Sequence, residues 1–185
     1  MKVGSQCSVC VSGMRNTVIG NIEVAMNNDL NRHIRAQSRN NFLINLVLNG
    51  LIAWFLLKDL PAFGAVGEHG YAMDLVITGF LLAGLVAAFT MKIHRGQLLK
   101  GQHQVIPPQA LGAIARAAPE NNWLNSLLFG IGGALLAAAT VGVLMLLPVP
   151  PFEPLAYALF KGVWAGVLAA LVVPPAIRIG LRTAS

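Results

Sequence analysis

Three asparagines, Asn41, Asn45 and Asn49, recur at intervals of four residues in a segment that is otherwise apolar. Residues four apart lie on the same face of a helix, so the three amides form a polar stripe. An amide buried among apolar groups is costly unless it is hydrogen-bonded. Two interpretations follow: the amides bond to a neighbouring helix inside a bundle, or they line a path for a ligand or an ion.

Lys161 is the only charged residue inside another apolar segment, which covers residues 155–177. Its long side chain can carry the ammonium group to a membrane surface, or it can pair with Asp74 or Glu153. An ionisable group inside a membrane can also take part in the transport of a substrate or a proton. Lys161 is therefore a candidate intramembrane charge.

Cys7 and Cys10 form a CxxC pair, a spacing found in zinc sites and thiol-redox sites. A zinc site needs two further ligands, and the chain has no other cysteine. The charge pattern described below places both cysteines on the cytoplasmic side of a membrane, whereas a four-helix membrane thiol oxidoreductase needs them in the outer loops, where electrons from secreted proteins enter. The sequence thus favours a dispensable tail at residues 1–25, or a true start at Met26, over a functional CxxC.

Glu68 and His69 are adjacent in a short loop, with Asp59 and Asp74 nearby in sequence. Their spacing matches no strong metal-binding motif. The chain also lacks a phosphate-binding loop, a nucleophile elbow, an HExxH sequence and a paired acidic motif. The sequence therefore predicts no cofactor, no metal site and no catalytic residue, and an enzyme is the less favoured interpretation.

Composition shows which elements must position these residues. Of the 185 residues, 56% are hydrophobic and only 11% are charged, and the mean hydropathy is +0.66. A soluble domain carries about 25% charged residues, so this chain is not an ordinary soluble enzyme, a disordered chain or a nucleic-acid-binding module. A membrane-spanning helix needs about 20 apolar residues. Four segments qualify: residues 41–57, 71–91, 123–147 and 155–177.

The four predicted spans form two hairpins. We predict a polar basic tail at residues 1–39, a first hairpin at 40–92, a basic loop at 93–120, a second hairpin at 121–180 and a short tail at 181–185. Both hairpins open on a similar sequence, Asn-Asn-Phe-Leu at 40–43 and Asn-Asn-Trp-Leu at 121–124. Residues 83–88 and 165–170 are likewise similar. The sequence thus predicts two tandem repeats related by an axis along the membrane normal. Within the last span, Pro174 and Pro175 are expected to kink or end the helix.

Charge predicts the orientation of the four spans. All 13 basic residues except Lys58 and Lys161 lie before the first span, between the second and third, or after the fourth. Basic residues stay in the cytoplasm, so both termini and the middle loop are predicted to be cytoplasmic, in an inner (plasma) membrane. The two short loops then face outward. Four aromatic residues near them are expected to form an aromatic belt at the outer surface: Trp54, Tyr71, Phe152 and Tyr157.

Small residues recur at helical spacing in the last three spans. Because lipid tails are as apolar as the helices, close packing through small residues is what holds such helices together. The candidate packing positions are Gly79, Ala83, Ser126, Gly130, Gly162 and Gly166. They indicate an all-α bundle of four transmembrane helices.

The favoured function is a small permease-like or channel-like protein that works as an oligomer, since four helices rarely enclose a solute route alone. The alternative is a structural or regulatory membrane subunit that docks a partner through its small-residue helix faces. A third possibility is a membrane enzyme that acts on lipid or on thiols. The predicted partners are the lipid bilayer and either a second copy of the chain or another membrane protein, and not nucleic acid.

Overall fold

The computed structural model describes residues 7–67, 70–102, 105–106, 111–148 and 150–182, with side chains from residue 28 onward. Within these ranges the chain is helical and has no strand. The helices are α1 (Cys7–Leu57), α2 (Tyr71–Leu99), α3 (Ala113–Ala117), α4 (Asn122–Leu146) and α5 (Pro154–Gly180). Four helices are long and apolar enough to cross a membrane, namely α1 from Asn28 onward, α2, α4 and α5.

The observed helices are longer than the predicted spans. The helix α2 continues from the predicted end at Met91 to Leu99, and α1 includes the described part of the predicted polar tail. Pro174 and Pro175 lie inside α5, which continues to Gly180, so the prediction that they end the helix is wrong. The reason is tertiary: the turns of α5 around and after the two prolines are buried against α2, and this packing outweighs the lost backbone hydrogen bonds.

The helix α5 is the most buried of the four long helices. Residues 1–36 and 37–185 form two compact units, and the packing described from here on lies within the second. There, α5 packs against α1 and α2, and α2 packs against α4. Many of the buried positions of α5 and α2 are alanine or glycine, which lets the helix backbones approach closely.

Glycine is required where α1 meets α5. A Cβ atom added to Gly162 would lie 2.6 Å from the carbonyl oxygen of Leu46 and 3.2 Å from the Cα of Gly50. One added to Gly166 would lie 2.8 Å from the carbonyl oxygen of Phe42. Real Cβ atoms essentially never come closer than 3.0 Å to such atoms, so any larger residue at these positions would push the helices apart.

The contact between α2 and α4 is equally close. A Cβ atom added to Gly79 would lie 2.6 Å from the carbonyl oxygen of Gly133, and Ala83 is fully buried on the same face of α2. One added to Gly130 would lie 3.1 Å from the carbonyl oxygen of Phe80. One turn earlier in α4, Ser126 is also buried, and its hydroxyl donates to the carbonyl of Asn122 at 2.9 Å. The six candidate packing positions therefore all lie at or beside contacts within the chain.

Hydrogen bonds tie the loops together at each end of the helices. The two short loops pair through Phe63 and Phe152, whose backbone amides donate to each other's carbonyl oxygens at 3.0 and 2.9 Å. We call this the hairpin end. At the opposite end, the backbone N–H of Ile106 donates to the carbonyl of Leu181 at 3.1 Å. We call this the basic end, because it carries the basic middle loop and the residues that follow α5.

The aromatic residues of the hairpin end form a cluster. The rings of Tyr71 and Phe152 meet edge to face at 5.4 Å, as do those of Phe63 and Tyr157 at 5.3 Å, and Phe152 stacks on Phe160 at 5.5 Å. Tyr157 is fully buried and Tyr71 is almost so. The prediction that these tyrosines form a belt at the membrane surface is therefore wrong. Edge-to-face packing among aromatic rings is favourable, and here it packs the two short loops against α2 and α5.

Candidate functional site

Lys161 pairs with Asp74 inside the bundle. Its Nζ atom donates to both carboxylate oxygens at 2.6 Å, and the hydroxyl of Tyr157 donates to Asp74 Oδ2. The side chain of Lys161 is only 6% exposed, whereas that of Asp74 is 42% exposed. Of the roles predicted for Lys161, the structure therefore shows pairing with Asp74, and the Lys161 side chain is buried.

The helices α2 and α5 bring these three groups together. Asp74 lies in the first turn of α2, where a carboxylate is favoured by the helix dipole. Tyr157 and Lys161 are four residues apart in α5, so they lie on the same face, one turn above the other. Both are buried, which places a hydroxyl and an ammonium group side by side facing α2.

This cluster opens into a cavity of about 240 Å³ at the hairpin end. Three helices supply its walls: Ala53, Leu56 and Leu57 come from α1, and the charged pair bridges α2 and α5. We call it the ion-pair cavity. Its polar groups are those of Asp74, Lys161 and the two tyrosines, and the other described lining residues are apolar or glycine.

The asparagine stripe bonds along its own helix. The Nδ2 atom of Asn41 donates to the carbonyl of Gln37 at 3.0 Å, that of Asn45 to Asn41 at 2.9 Å, and that of Asn49 to Asn45 at 3.1 Å. The structure thus does not support the prediction that these amides bond to a neighbouring helix. The physical reason is that a backbone carbonyl one turn earlier is always within reach of such a side chain.

Two of the three asparagines line a larger cavity. It has a volume of about 500 Å³ and lies between α1, α2 and α5, on the side of the basic end. We call it the polar cavity. Its polar lining residues are Gln37, Asn41, Asn45, Thr90, His94 and Gln97. Asn49 is not among the lining residues.

The polar residues of α2 in this cavity were missed by the sequence interpretation. Thr90, His94 and Gln97 fall at or beyond the predicted end of the second span, where Lys92 and Arg95 suggested a loop. In the structure these two basic residues are exposed on the opposite face of a helix that continues. The spacing of four and then three residues between Thr90, His94 and Gln97 was the signal that could have found them.

The hydrogen bonds of His94 and Gln97 show which of their polar atoms are already used in this wall. The Nδ1 atom of His94 lies 2.8 Å from the carbonyl oxygen of Thr90. A carbonyl can only accept, so Nδ1 carries the proton. The Oε1 atom of Gln97 is buried and has no hydrogen-bond partner. A buried acceptor without a partner is unfavourable, so the Gln97 amide is only partly satisfied within the chain.

A third cavity, of about 410 Å³, lies between α4 and α5 and is almost entirely apolar. Its wall at the basic end is the segment around α3, including Ile114 and Pro119. Arg182 holds this segment in place by donating to the carbonyl of Ala118 at 2.6 Å and to that of Pro119. We call it the apolar cavity. Asn125 is its one polar lining side chain among the described residues, and its amide donates to the carbonyl of Pro119 at 2.8 Å.

The other candidate groups cannot be placed. The side chains of Cys7 and Cys10, and residues Glu68 and His69, lie outside the described residues. In the part of the chain that the structure describes, no group of three or more His, Cys, Asp or Glu residues could hold a metal ion.

The fold and these cavities define the class of protein: an all-helical chain with four helices able to span a membrane and with polar groups gathered between three of them. Comparisons of the chain with protein-family profiles, with curated proteins and with solved structures gave no match.

Proposed function

We propose that this chain is a small permease-like membrane protein whose solute route runs between α1, α2 and α5. The observation that carries the proposal is that the same three helices border two cavities with polar lining, one toward each end. Polar and charged groups at membrane depth are costly, and they typically face a water-filled cavity or a substrate path. Simple packing of four helices requires neither cavity.

The two cavities share no lining residue, so the route is closed between them. On α1 the polar cavity ends at Leu48 and the ion-pair cavity begins at Ala53. On α2 they are separated between Asp74 and Leu82. A route that is closed in the middle and lined by polar groups on both sides fits a permease that alternates between two states better than it fits an open channel.

Helix packing supports the tandem repeats as part of this proposal. If the two hairpins are repeats, α1 corresponds to α4 and α2 corresponds to α5. The contact of α1 with α5 then corresponds to the contact of α4 with α2, and both crossings are made through glycine. In that arrangement the interface of α2 with α5 would lie on the repeat axis, and the Asp74–Lys161 pair crosses that interface.

The cavities of the basic end support the same relation. The offset of 82 residues that aligns 83–88 with 165–170 carries Val86, Thr90 and Gln97 onto Leu168, Val172 and Ile179. The first three residues line the polar cavity, and the second three line the apolar cavity. The repeats would thus enclose two equivalent cavities, of which the first has become polar and the second is apolar and covered by the α3 segment.

The membrane, orientation and assembly are part of the proposal. The basic residues favour an inner (plasma) membrane with the basic end in the cytoplasm. Apolar faces of α1 and α4 are exposed on the isolated chain, and they fit contact with lipid or with a second copy in a homo-oligomer. Native mass spectrometry of the purified protein measures that assembly.

The alternative of a docking subunit has less support. In that alternative a partner binds to the small-residue faces of the helices. These faces are already used for helix contacts within the chain, at Gly79, Gly130, Gly162 and Gly166. A partner would therefore need another surface. Such a subunit also has no need of polar cavities.

Cysteine accessibility tests the route. We would place Val86→Cys, in the wall of the polar cavity, in a chain whose own cysteines are changed to serine. The matched control is Leu81→Cys on the exposed face of the same helix, which faces lipid in this proposal. A membrane-impermeant cationic methanethiosulfonate is added to vesicles from either side.

We expect Val86→Cys to react from the side of the basic end and Leu81→Cys to stay unreactive, because a thiol in lipid neither ionises nor meets the reagent. If the two cysteines react alike, the polar cavity is not open to water and the proposed route is wrong.

A further inference from the structure

We infer that the polar cavity binds an uncharged small molecule that has hydrogen-bonding groups, such as hydroxyl groups, on an apolar body. This inference rests on the proposed function and names its substrate class. It follows from which groups of the lining side chains are already bonded, and from the absence of Asp, Glu, Lys and Arg among the described lining residues.

The amides of Asn41 and Asn45 line the cavity and are only partly used by bonds within α1. A backbone carbonyl can only accept, so the amide nitrogens of Asn41 and Asn45 must face the carbonyls one turn earlier. This leaves the Oδ1 atom and the second N–H of each side chain as groups that can meet a ligand. The Oδ1 of Asn45 has only a long contact of 3.5 Å from Asn49. Each amide of the cavity thus keeps both an acceptor and a donor beyond its bond to its own helix.

A second helix adds another amide to the lining of this cavity. The Oε1 atom of Gln97 is buried without a hydrogen-bond partner, and Gln97 lines the same cavity from α2. On that helix the Nδ1–H of His94 is already used by the carbonyl of Thr90. Amide groups on two helices therefore border one cavity, and a ligand with hydroxyl groups, which both donate and accept, would bond to them.

The rest of the lining restricts the ligand further. No Asp, Glu, Lys or Arg is among the described lining residues, so a fully charged ligand would lose its hydration without gaining a counter-charge. The remaining walls are apolar and include Leu48, Leu82 and Phe89. A volume of about 500 Å³ is in the usual range for a small-molecule site.

The test uses the Val86→Cys chain described above, at full length and purified in detergent. Four probes with the same methylphenyl body are compared for their ability to slow alkylation by N-ethylmaleimide. They are 4-methylphenol, which is neutral and has a donor; 4-methylanisole, which is neutral and has none; protonated 4-methylbenzylamine; and 4-methylbenzoate. Detergent partitioning alone does not give 4-methylphenol an advantage, because 4-methylanisole is the more apolar of the two neutral probes.

We expect 4-methylphenol to protect the cysteine and the other three probes to protect it little. Gln97→Met and Asn45→Leu keep side-chain size but remove a hydrogen-bonding amide, so each should raise the concentration of 4-methylphenol needed for protection by about tenfold. Gln102→Met removes an exposed amide outside this cavity and should leave protection unchanged.

The outcomes separate the ligand class from the proposed function. Suppose that the cysteine is accessible in membranes. The ligand class alone is then overturned if 4-methylanisole or either charged probe protects as well as 4-methylphenol does. Full protection by 4-methylphenol in Gln97→Met overturns it in the same way. A cysteine that reacts neither with N-ethylmaleimide nor with the methanethiosulfonate overturns the polar route and the ligand class together.

Discussion

At the scale of single residues, the Asp74–Lys161 pair is asymmetric. The ammonium group of Lys161 is buried, whereas the carboxylate of Asp74 reaches the ion-pair cavity. Removing one partner of a buried pair is strongly unfavourable when the charge that remains is shut away from water. The two single substitutions therefore have different consequences, although they break the same contact.

We predict that Asp74→Asn destabilises the protein more than Lys161→Met does. The first leaves Lys161 buried without a counter-charge and should lower the free energy of unfolding by about 3 kcal/mol or more. The second leaves a carboxylate that the cavity can hydrate, and Tyr157 still donates to it. Unfolding in mixed detergent micelles, followed by tryptophan fluorescence, measures both.

The double variant Asp74→Asn/Lys161→Met is the control for this prediction. It removes both charges and should recover most of the stability lost in Asp74→Asn, since replacing a buried ion pair by neutral groups is often close to neutral. Additive losses in the double variant would show that the two residues are not energetically coupled.

At the scale of helices, adjacent glycines in α4 have opposite surroundings. A Cβ atom added to Gly133 would clash with the carbonyl oxygen of Gly79 and would lie 2.7 Å from the Cβ of Ala83. One added to Gly132 would meet nothing within 4 Å. The contact between α2 and α4 therefore depends on one of the two glycines and not on the other.

We predict that Gly133→Ala lowers the free energy of unfolding by about 2 kcal/mol, a typical cost of overpacking. Gly132→Ala should leave it unchanged or raise it slightly, because alanine is the better helix former. The same unfolding measurement compares them, and each variant adds one methyl group to the same helix. Equal effects would mean that α2 and α4 do not meet through Gly133.

The helices themselves could be predicted from sequence because each span is a long apolar segment between charges. What sequence could not supply was the outcome of tertiary packing. Pro174 and Pro175 stay within α5 because their turns are buried. Tyr71 and Tyr157 turn into the bundle, where other rings are within reach. The length of an apolar segment indicates that a helix can cross a membrane. Packing against neighbouring helices determines which faces of that helix are buried.

The candidate site was predictable only in part, for a similar reason. Lys161 and the asparagine stripe stand out because polar groups are rare in apolar segments. Two partners for Lys161 were possible, and only the fold brings Asp74, 87 residues away, to its ammonium group. The α2 wall of the polar cavity was missed because charge at Lys92 indicated the end of a helix, although it lies on an exposed face.

At the scale of the whole molecule, the two cavities and the ion pair between α2 and α5 describe, for the proposed route, a state that is closed at the hairpin end. The polar cavity lies toward the basic end, and the Asp74–Lys161 pair with its aromatic cluster lies toward the hairpin end. If the chain carries solute, the hairpin end must open while the basic end closes. The contacts that hold the hairpin end shut are the pair itself, the ring cluster and the backbone pairing of Phe63 with Phe152.

We predict that the double variant Asp74→Asn/Lys161→Met shifts the protein toward a state open at the hairpin end. It removes the charged link between α2 and α5 without leaving a buried charge, so the fold persists while the closed state loses its strongest cross-link. With Val86→Cys as the reporter, a methanethiosulfonate added from the hairpin side should react faster than it does in the parent chain. Reaction from the basic side should slow in proportion, because molecules open at the hairpin end replace molecules open at the basic end. A rise on both sides would instead indicate a leak through a loosened bundle, and no change on either side would show that the ion pair does not control access to the polar cavity.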